Sequence, residues 1–306
     1  MPLLGTDVSK WQGVVDYDAV AAAGVKFAIA KAVHGKYQDA KFATNWNGIK
    51  GKVVRGAYAW YVPEQDAIEQ ADALIAAMVG LDNDDLPPAI DFEQPTQIPA
   101  DKLLAGAMAF VRRIIEKTGR KPLFYTGKWY WQQYVKDMDA PELVSITDLW
   151  HAEYPNLGRS GIQYREAMAA LGSPHPALPW AKRGIAPRIW QFDGDKGLTL
   201  PGGQDADFNR FDGEDEEFRA YIASTVIDPL ALPVLTPPLF NATRETQLVL
   251  MALGYDLGAT GADGDFGGKT RAAVSGFQGS VGLPVTGSVD DATRAALQAA
   301  WFKLNA

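Results

Sequence analysis

Asp91 and Glu93, two acidic residues separated by one position, form the strongest chemical signal in the sequence. They end the apolar run Leu-Pro-Pro-Ala-Ile-Asp-Phe-Glu, residues 86–93. Residues i and i+2 of a β-strand lie on the same face, so both carboxyl groups would face one side. Two carboxylates held close together raise the pKa of at least one of them. The pair predicts hydrolysis of a glycosidic bond, which needs a protonated carboxyl beside a second carboxylate; the alternative is a helix-capping Asp91 and a surface Glu93.

Two further acids can join this pair. Asp7 ends the first apolar run of the chain, and Asp207 lies in the eighth. The first and last strands of a closed barrel are neighbours, and barrel enzymes carry their chemistry at the C-terminal mouth. We therefore expect Asp7 and Asp207 at the same mouth as Asp91 and Glu93. The structural alternatives are a turn cap at Asp7 and a salt bridge from Asp207 to Arg210.

Aromatic residues gather at the ends of the same apolar runs. Flat rings with polar edges suit the C–H faces and hydroxyl groups of sugars. As a set around an acidic mouth, they favour a saccharide over a phosphorylated or lipid ligand. The candidate substrate-binding residues are Tyr58, Trp60, Tyr125, Trp150, Tyr154, Trp190 and Gln191.

The elements that must position these residues are short apolar runs alternating with amphipathic stretches. The runs predict eight β-strands, over residues 3–8, 27–33, 53–61, 88–93, 122–126, 149–154, 188–192 and 206–211. Apolar residues at helical spacing predict helices over 17–23, 64–79 and 101–118, each followed by a glycine that suits a helix end. Strand–helix alternation indicates parallel pairing, and eight strands favour a closed α/β barrel over an open sheet. Few helices separate the later strands, and 156–187 reads as a long irregular insertion, so we expect a less regular second half.

Composition removes several classes of function. The chain has 306 residues and no cysteine, which excludes disulfides, thiolate metal sites and cysteine nucleophiles. The three histidines show no metal-ligand spacing, so we expect no metal and no cofactor. A net charge of −8 argues against nucleic acid as a partner. No run approaches the ~20 apolar residues of a membrane span, and the first residues lack the basic and apolar regions of a signal peptide.

From residue 226 the sequence changes character. Residues 226–239 contain four prolines, which favour an extended, semi-rigid linker; a strap packed on the barrel is the alternative. Further on, the pattern Gly264-x-Phe266-x-x-x-Thr270-Arg-Ala-Ala-Val274 recurs as Gly287-x-Val289-x-x-x-Thr293-Arg-Ala-Ala-Leu297. Repetition of one unit predicts a small domain of two similar halves. We expect two matching glycine turns beside each other, with a shallow groove for a peptide stem or glycan.

Five motifs, in this order, resemble those of family 25 glycoside hydrolases, the N-acetylmuramidases often called Chalaropsis-type lysozymes. They are Gly5-Thr6-Asp7-Val8-Ser9, Ala89-Ile90-Asp91-Phe92-Glu93, Leu149-Trp150-His151-Ala152-Glu153-Tyr154, Ile189-Trp190-Gln191-Phe192 and Asp207-Phe208-Asn209-Arg210-Phe211. The resemblance spans about residues 3–213 and implies an irregular, TIM-like α/β barrel with fewer helices than strands. It also implies that Glu93 is the catalytic acid, and that Asp7 and Asp207 line the same groove.

Residues 240–306 resemble the small, all-α peptidoglycan-binding domain found on many cell-wall hydrolases. The matching stretch includes Asp-Gly-Asp-Phe-Gly-Gly-Lys-Thr at 263–270. The two resemblances imply a catalytic barrel over 1–225, a linker over 226–239 and a binding domain over 240–306. The domain would bind bacterial peptidoglycan and carry out no chemistry of its own.

The implied function is that of a monomeric, endolysin-type lysozyme. It would hydrolyse β-1,4 bonds between N-acetylmuramic acid and N-acetylglucosamine, accumulate in the host cytoplasm and then reach the wall. Two alternatives stay open: a non-catalytic wall-binding or virion structural protein, which the acids at 7, 91, 93 and 207 argue against, and a hydrolase of another hexosamine polymer. Glu93 would protonate the leaving oxygen, with Asp91 either orienting the 2-acetamido group of the substrate or, like Asp207, activating water.

Overall fold

Two compact units make up the chain. The structure, a computed structural model, describes residues 1–155, 171–194, 198–227, 243–258 and 261–304. The first unit comprises Met1–Leu232 and the second Pro233–Ala306. The predicted linker from residue 228 onward, and residues 156–170 of the predicted insertion, lie outside the described residues.

A closed barrel forms the first unit. Its strands are β1 (Leu3–Val8), β2 (Val25–His34), β3 (Tyr37–Gln38), β4 (Val54–Trp60), β5 (Ala89–Asp91), β6 (Leu123–Gly127), β7 (Asp148–Ala152), β8 (Ile189–Asp193) and β9 (Asp207–Phe211). They pair in the order β1-β9-β8-β7-β6-β5-β4-β2, and β1 also pairs with β2, which closes the ring. The short β3 only extends the sheet beyond β2. The predicted eight-stranded barrel is confirmed.

The direction of β9 departs from the expected parallel pairing. It runs antiparallel to both of its neighbours, β1 and β8, whereas the other barrel strands pair in parallel. Asp207, the first residue of β9, is opposite Asp7, near the C-terminal end of β1. In a parallel β9 its first residue would lie at the other end of the barrel. The antiparallel direction is therefore what brings Asp207 to the mouth.

Helices surround the barrel. They are α1 (Tyr17–Ala22), α2 (Phe42–Ile49), α3 (Ala67–Ala77), α4 (Ala100–Thr118), α5 (Lys128–Tyr130, continued by a π-helical turn over Trp131–Val135), α6 (Pro141–Ile146), α7 (Leu178–Ala181) and α8 (Asp215–Ser224). The three predicted helices are present as α1, α3 and α4. α3 begins later than predicted because the Asp66 side chain accepts a hydrogen bond from the Glu69 N–H and caps it there. Between β8 and β9 the described residues form no helix, so the second half is less regular, as expected.

An apolar core fills the barrel below its mouth. Phe27, Ile29, Leu123 and Phe211 belong to one buried cluster inside it. A Cβ atom on Gly5 would lie 2.1 Å from the Phe27 ring, so β1 needs a glycine where that ring crosses the interior. Phe218 of α8 packs on Phe27 and Phe211, with ring centroids 5.1 and 4.8 Å apart, and covers the end opposite the mouth.

The second unit is helical in its described part, as predicted. Its helices are α9 (Thr243–Ala252), α10 (Gly268–Ser280) and α11 (Asp291–Leu304). Val274, Phe277 and Leu297 are buried together, and Phe266 and Val289 pack against them; Leu283 is half-buried and lies outside this cluster. Gly264 and Gly287 have φ angles of 87° and 67°, which only glycine adopts cheaply.

Two buried glutamines reveal that the repeat extends into the preceding helices. Gln247 on α9 donates from Nε2 to Thr270 Oγ1 (2.9 Å), and its Oε1 accepts from the Gly264 N–H (2.8 Å). The second half repeats this arrangement with Gln278, Thr293 and Gly287. Each glutamine thus ties a glycine turn to the helix that follows it. Because the carboxamides are buried and bonded on both sides, the two turns are held in place.

The end of the first unit extends past the predicted boundary at residue 225. Val226 forms a β-bridge with Arg120, and the N–H of Ile227 donates to the Gly119 carbonyl (2.8 Å). These two residues, assigned to the linker by the sequence, are hydrogen-bonded to the barrel. None of the helices in the described ranges is long and apolar enough to cross a membrane.

Candidate active site

A polar cavity lies at the C-terminal ends of the barrel strands. Nine of the eleven candidate residues line it, because alternation along each strand turns them to the interior face. They are Asp7, Tyr58, Trp60, Asp91, Glu93, Tyr125, Trp150, Gln191 and Asp207.

Asp91 and Glu93 are held by the apolar residues that alternate with them. Asp91 is the last residue of β5, and Glu93 follows just beyond it. Ile90 and Phe92 are fully buried, and the Phe92 ring packs outward on Tyr130 of α5 at 5.3 Å. This packing turns both carboxyl groups into the cavity. Asp91 is only 4% exposed, whereas Glu93 is half-buried and lies nearer the opening.

The Asp91 carboxyl is costly to ionise. Burial raises its pKa well above the usual range, and the charge of Glu93 raises it further, while the ammonium group of Lys31 partly opposes both. Its Oδ1 atom is buried and has no hydrogen-bond partner among the described residues. Like charges this close in a buried site rarely both ionise. The pair therefore retains a proton more tightly than two isolated carboxyl groups would.

Lys31 on β2 is a site residue that the sequence analysis missed. Its Nζ lies 4.2 Å from the centroid of the Trp60 ring, and burial lowers its pKa although Asp91 raises it. The signal was available in the pattern, since Lys31 continues the interior series of Phe27 and Ile29. A lysine at an interior position of an apolar strand is uncommon unless it has a partner.

Asp7 is held by two amide groups. Gln191 Nε2 and Asn209 Nδ2 both donate to its Oδ2, at 2.8 and 2.7 Å. Burial nevertheless raises the pKa of Asp7 to about 6, against the opposing effects of these hydrogen bonds, of one with Asp207 and of the Lys31 charge. Asp7 is thus a deep anchor of the site, and it does not serve as a turn cap.

Gln191 is itself oriented by two phenols. The hydroxyl groups of Tyr125 and Tyr154 donate to its Oε1, at 2.7 and 2.6 Å, which turns Nε2 towards Asp7. Burial raises the pKa of both tyrosines, so they remain hydroxyl donors. The result is a continuous chain of hydrogen bonds from Tyr154 to Asp7.

Asp207 joins this chain of hydrogen bonds from β9, the strand that pairs with β1. Its backbone carbonyl accepts a hydrogen bond from Thr6 Oγ1 (2.8 Å), and its side chain bonds Asp7. Arg210, considered above as a partner of Asp207, forms a salt bridge with Asp212, and Asp207 lines the cavity. Asp207 therefore belongs to the cavity.

Three aromatic residues form walls of the cavity. Trp150 donates from Nε1 to Asn209 Oδ1 (2.7 Å) and meets the Tyr58 ring edge-on at 6.0 Å. Trp60 is half-buried, stacks on His34 at 5.7 Å and donates to Gln94 Oε1 (2.7 Å). Rings fixed in this way offer rigid surfaces to a sugar.

The two remaining candidates do not line the cavity. Tyr154 lies beyond the end of β7, 48% exposed, and reaches the site only through its hydroxyl. Trp190 lies on the face of β8 opposite to Gln191, where it is buried and donates to the carbonyl of Glu153 (2.8 Å).

Within the described ranges, no three His, Cys, Asp or Glu side chains are grouped so that they could hold a metal ion. The cavity instead combines four carboxyl groups with phenol and amide groups, and Lys31 interacts electrostatically with Asp91 and Glu93. Such a set can donate and accept protons and bind hydroxyl and acetamido groups.

Comparison with known families agrees with this chemistry. Residues 6–195 match the family model described as glycosyl hydrolases family 25, and residues 241–297 match that of a peptidoglycan binding domain. The first match covers more than half of the chain. The protein belongs to glycosyl hydrolase family 25 and is a glycoside hydrolase, which confirms the prediction from the five motifs.

Similar proteins include a muramidase, a lysozyme and the catalytic domain of an endolysin. The N,O-diacetylmuramidase of Chalaropsis sp is 31% identical over 150 residues, which cover 44% of this chain and 71% of that protein. The fold is shared with a bacterial lysozyme from Streptomyces coelicolor (TM-score 0.61, 23% identity, 74% of this chain and 99% of that one). It is also shared with the catalytic domain of endolysin ply40 from bacteriophage P40 of Listeria monocytogenes (TM-score 0.51, 20% identity, 73% and 98%).

Proposed function

We propose that this protein is a lysozyme that hydrolyses the β-1,4 bond between N-acetylmuramic acid and N-acetylglucosamine in bacterial peptidoglycan. The observation that carries this proposal is the Asp91–Glu93 pair, with Asp91 buried and Glu93 half-buried, in a cavity walled by Tyr58, Trp60 and Trp150. The similarity to a named N,O-diacetylmuramidase supports the choice of polymer. So does the second unit, whose family match is to a peptidoglycan binding domain.

In this proposal Glu93 is the general acid. The Asp91–Glu93 pair retains a proton, and Glu93 is the more exposed member, nearer to an incoming glycosidic oxygen. Glu93 transfers the proton to that oxygen as its bond to the anomeric carbon breaks. The leaving sugar departs with a neutral hydroxyl group, and Glu93 is left as a carboxylate that can accept a proton from water in the next step.

Asp91 acts on the 2-acetamido group of the substrate. Its unpartnered Oδ1 can accept the acetamido N–H, which directs the carbonyl oxygen of that group to the anomeric carbon. The carbonyl oxygen forms a bond there as the leaving group departs, and water then opens the resulting ring with retention. The alternative is inversion, in which Asp91 or Asp207 activates water directly. NMR of the first-formed anomer separates the two, and an inverted product would refute the acetamido route.

The remaining candidates bind and orient the sugar. Asp7 and Asp207 provide deep hydrogen-bond acceptors, held by Gln191 and its tyrosine partners. Tyr58, Trp60, Tyr125 and Trp150 pack against the sugar rings, and Tyr154 closes one side. Trp190 supports the strand that carries Gln191.

The chain is organised as a catalytic barrel and a tethered binding domain. We assign the barrel to residues 1–225, with Val226 and Ile227 bonded to it, a linker to about residue 239 and the binding domain to 240–306. Tethering raises the local concentration of wall polymer around the barrel without altering its chemistry. The protein acts as a monomer, since every proposed site residue comes from one barrel.

The test is digestion of purified peptidoglycan, followed by a turbidity assay and mass spectrometry of the new chain ends. Muramic acid at the new reducing ends is the expected result. N-acetylglucosamine at those ends would instead indicate a glucosaminidase, and cleavage of chitin alone would indicate another hexosamine polymer. No new ends at all would favour a non-catalytic wall-binding protein.

We also propose an endolysin-like route to the wall. The similarity in fold to the phage endolysin domain suggests an enzyme that accumulates inside the host and acts once the membrane is permeabilised. Expression in a bacterial cytoplasm should leave cells intact until chloroform is added, after which the culture should clear. Clearing without chloroform would contradict this route.

A further inference from the structure

A cavity in the second unit lies between the two halves of its repeat. It is lined by Thr243, Thr246, Phe266, Arg271, Ser288, Val289 and Arg294. Arg271 and Arg294 occupy matching positions of the two copies, and so do Phe266 and Val289. The pseudo-repeat therefore presents two guanidinium groups and two apolar side chains to one space.

The arginines are arranged for anion recognition. The guanidinium carbon of Arg271 lies 5.6 Å from the centroid of the Phe266 ring, which supports its flat face. Arg294 donates from Nη2 to Asp291 Oδ1 (2.7 Å), but Asp291 is almost fully exposed, so a ligand carboxylate can replace it at little cost. The guanidinium fork matches a carboxylate with two parallel hydrogen bonds.

The frame of this cavity is rigid. Gln247 and Gln278 are buried, and each fixes one glycine turn to the helix that carries the arginine. Thr246, which lines the cavity, is buried beside Gln247. A preformed cavity of this kind loses little entropy when a ligand binds.

We propose that this cavity binds a free carboxylate group of a peptidoglycan stem peptide, held by Arg271 and Arg294 above the Phe266 and Val289 side chains. The proposal rests on the proposed function, since it takes the wall polymer as the target of the second unit. The stem peptide is favoured over the glycan because N-acetylglucosamine carries no anion, and the lactyl carboxyl group of N-acetylmuramic acid is an uncharged amide wherever a stem peptide is attached. A stem peptide carries several carboxylates, and short aliphatic side chains beside them suit the apolar floor.

The test is calorimetric titration of the full-length protein with a synthetic stem pentapeptide. This probe contains no glycosidic bond, so hydrolysis does not disturb the measurement. Arg271→Gln and Arg294→Gln should each weaken binding about tenfold, because each removes charge-assisted hydrogen bonds. Lys269→Gln, on the same helix as Arg271, is the matched control: it removes the same charge from an exposed residue that does not line the cavity. Its affinity should stay within about twofold of wild type.

Four further measurements complete the test. Wild-type protein should bind a peptide with all of its carboxyl groups amidated only weakly. Its affinity should be no higher than that of the double variant, Arg271→Gln with Arg294→Gln, for the unmodified peptide. Peptides amidated at one carboxyl at a time identify the group that is bound. Asp291→Asn removes the competing carboxylate and should leave affinity equal to or higher than wild type. Melting curves of each variant, together with Arg271→Lys and Arg294→Lys, separate lost binding from lost folding.

Two results would overturn the proposal: equal binding by wild type and the folded arginine variants, or equal binding of the amidated and free peptides. Binding of an N-acetylglucosamine oligomer, which carries no carboxylate, in place of the peptide would overturn it as well. Release of muramic reducing ends is measured in parallel on all variants. If wild type releases none, the proposed function fails while the peptide titration still decides the role of the cavity.

Discussion

Asp7 allows a quantitative test of how the site is built. Its pKa is about 6 in the folded protein, against 3.8 for an ordinary aspartate. An acid whose pKa is higher in the folded than in the unfolded state binds its proton more tightly when folded. Ionised Asp7 therefore destabilises the fold by about 3 kcal/mol above pH 6, and this cost disappears as the pH falls through 6 towards 3.8.

Asp7→Asn removes the charge and keeps the shape. The altered hydrogen bonds with Gln191 and Asn209 lower the free energy of unfolding of the variant by an amount that does not depend on pH. Its stability relative to wild type should improve by roughly 1–2 kcal/mol when the pH is raised from 5 to 8. Buried groups that do not interact with Asp7, such as His151, whose pKa burial lowers, cancel in this difference. Asp91 does not cancel, because the Asp7 charge helps to raise its pKa; removing that charge eases the ionisation of Asp91 and acts in the same direction.

Urea denaturation at pH 5, 6, 7 and 8 measures the effect. Tryptophan emission is a suitable probe because, of the nine tryptophans, only Trp301 lies outside the first unit. Asp66→Asn is a matched control, since Asp66 is exposed and asparagine also caps a helix. The stability difference between Asp7→Asn and wild type should change with pH more steeply than that of the control. If it does not change with pH, or changes no more than the control, the argument that burial of the Asp7 charge destabilises the fold is refuted.

Three other predictions concern activity. Glu93→Gln should fold normally and lose ~100- to 10,000-fold in turnover, because the amide cannot act as the acid; turnover near wild type, at an unchanged melting temperature, would remove Glu93 from that role. Gln191→Leu and Gln70→Leu should each lower the free energy of unfolding by on the order of 1–3 kcal/mol, since both glutamines are buried and fully hydrogen-bonded. Only Gln191→Leu should also reduce turnover on a soluble muropeptide oligomer. Deleting residues 233–306 should preserve that turnover and weaken lysis of intact sacculi; equal losses on both substrates would show that the second unit stabilises the barrel.

Much of the barrel could be read from local pattern. The eight strands follow from short apolar runs, and the inward direction of Asp91 and Glu93 follows from their alternation with Ile90 and Phe92. These properties depend on neighbours in sequence, so the sequence alone contains them. The same holds for the glycine turns at Gly264 and Gly287, where φ is positive.

Other features depend on which strands become neighbours. The antiparallel direction of β9 places Asp207 beside Asp7, and no local pattern specifies it. Lys31 gains its role from its interaction with Asp91 of β5, two strands away around the barrel, although its interior position was visible in β2. Trp190 and Gln191 are adjacent in β8, so only one of them can face inward, and the tertiary structure turns Gln191 to the cavity.

The second unit shows the same division. The repeat of glycine, threonine and arginine was evident, whereas the glutamines that secure it lie 17 residues before Gly264 and 9 before Gly287. Because these separations differ, no fixed period reveals them. The sequence by itself determined the strands, the interior carboxyl pair and the repeat, which depend on side-chain alternation and backbone conformation. Only the tertiary structure decided the direction of β9, the partners of Asp7 and the meeting of the two arginines at one cavity, since these depend on contacts between segments far apart in the chain.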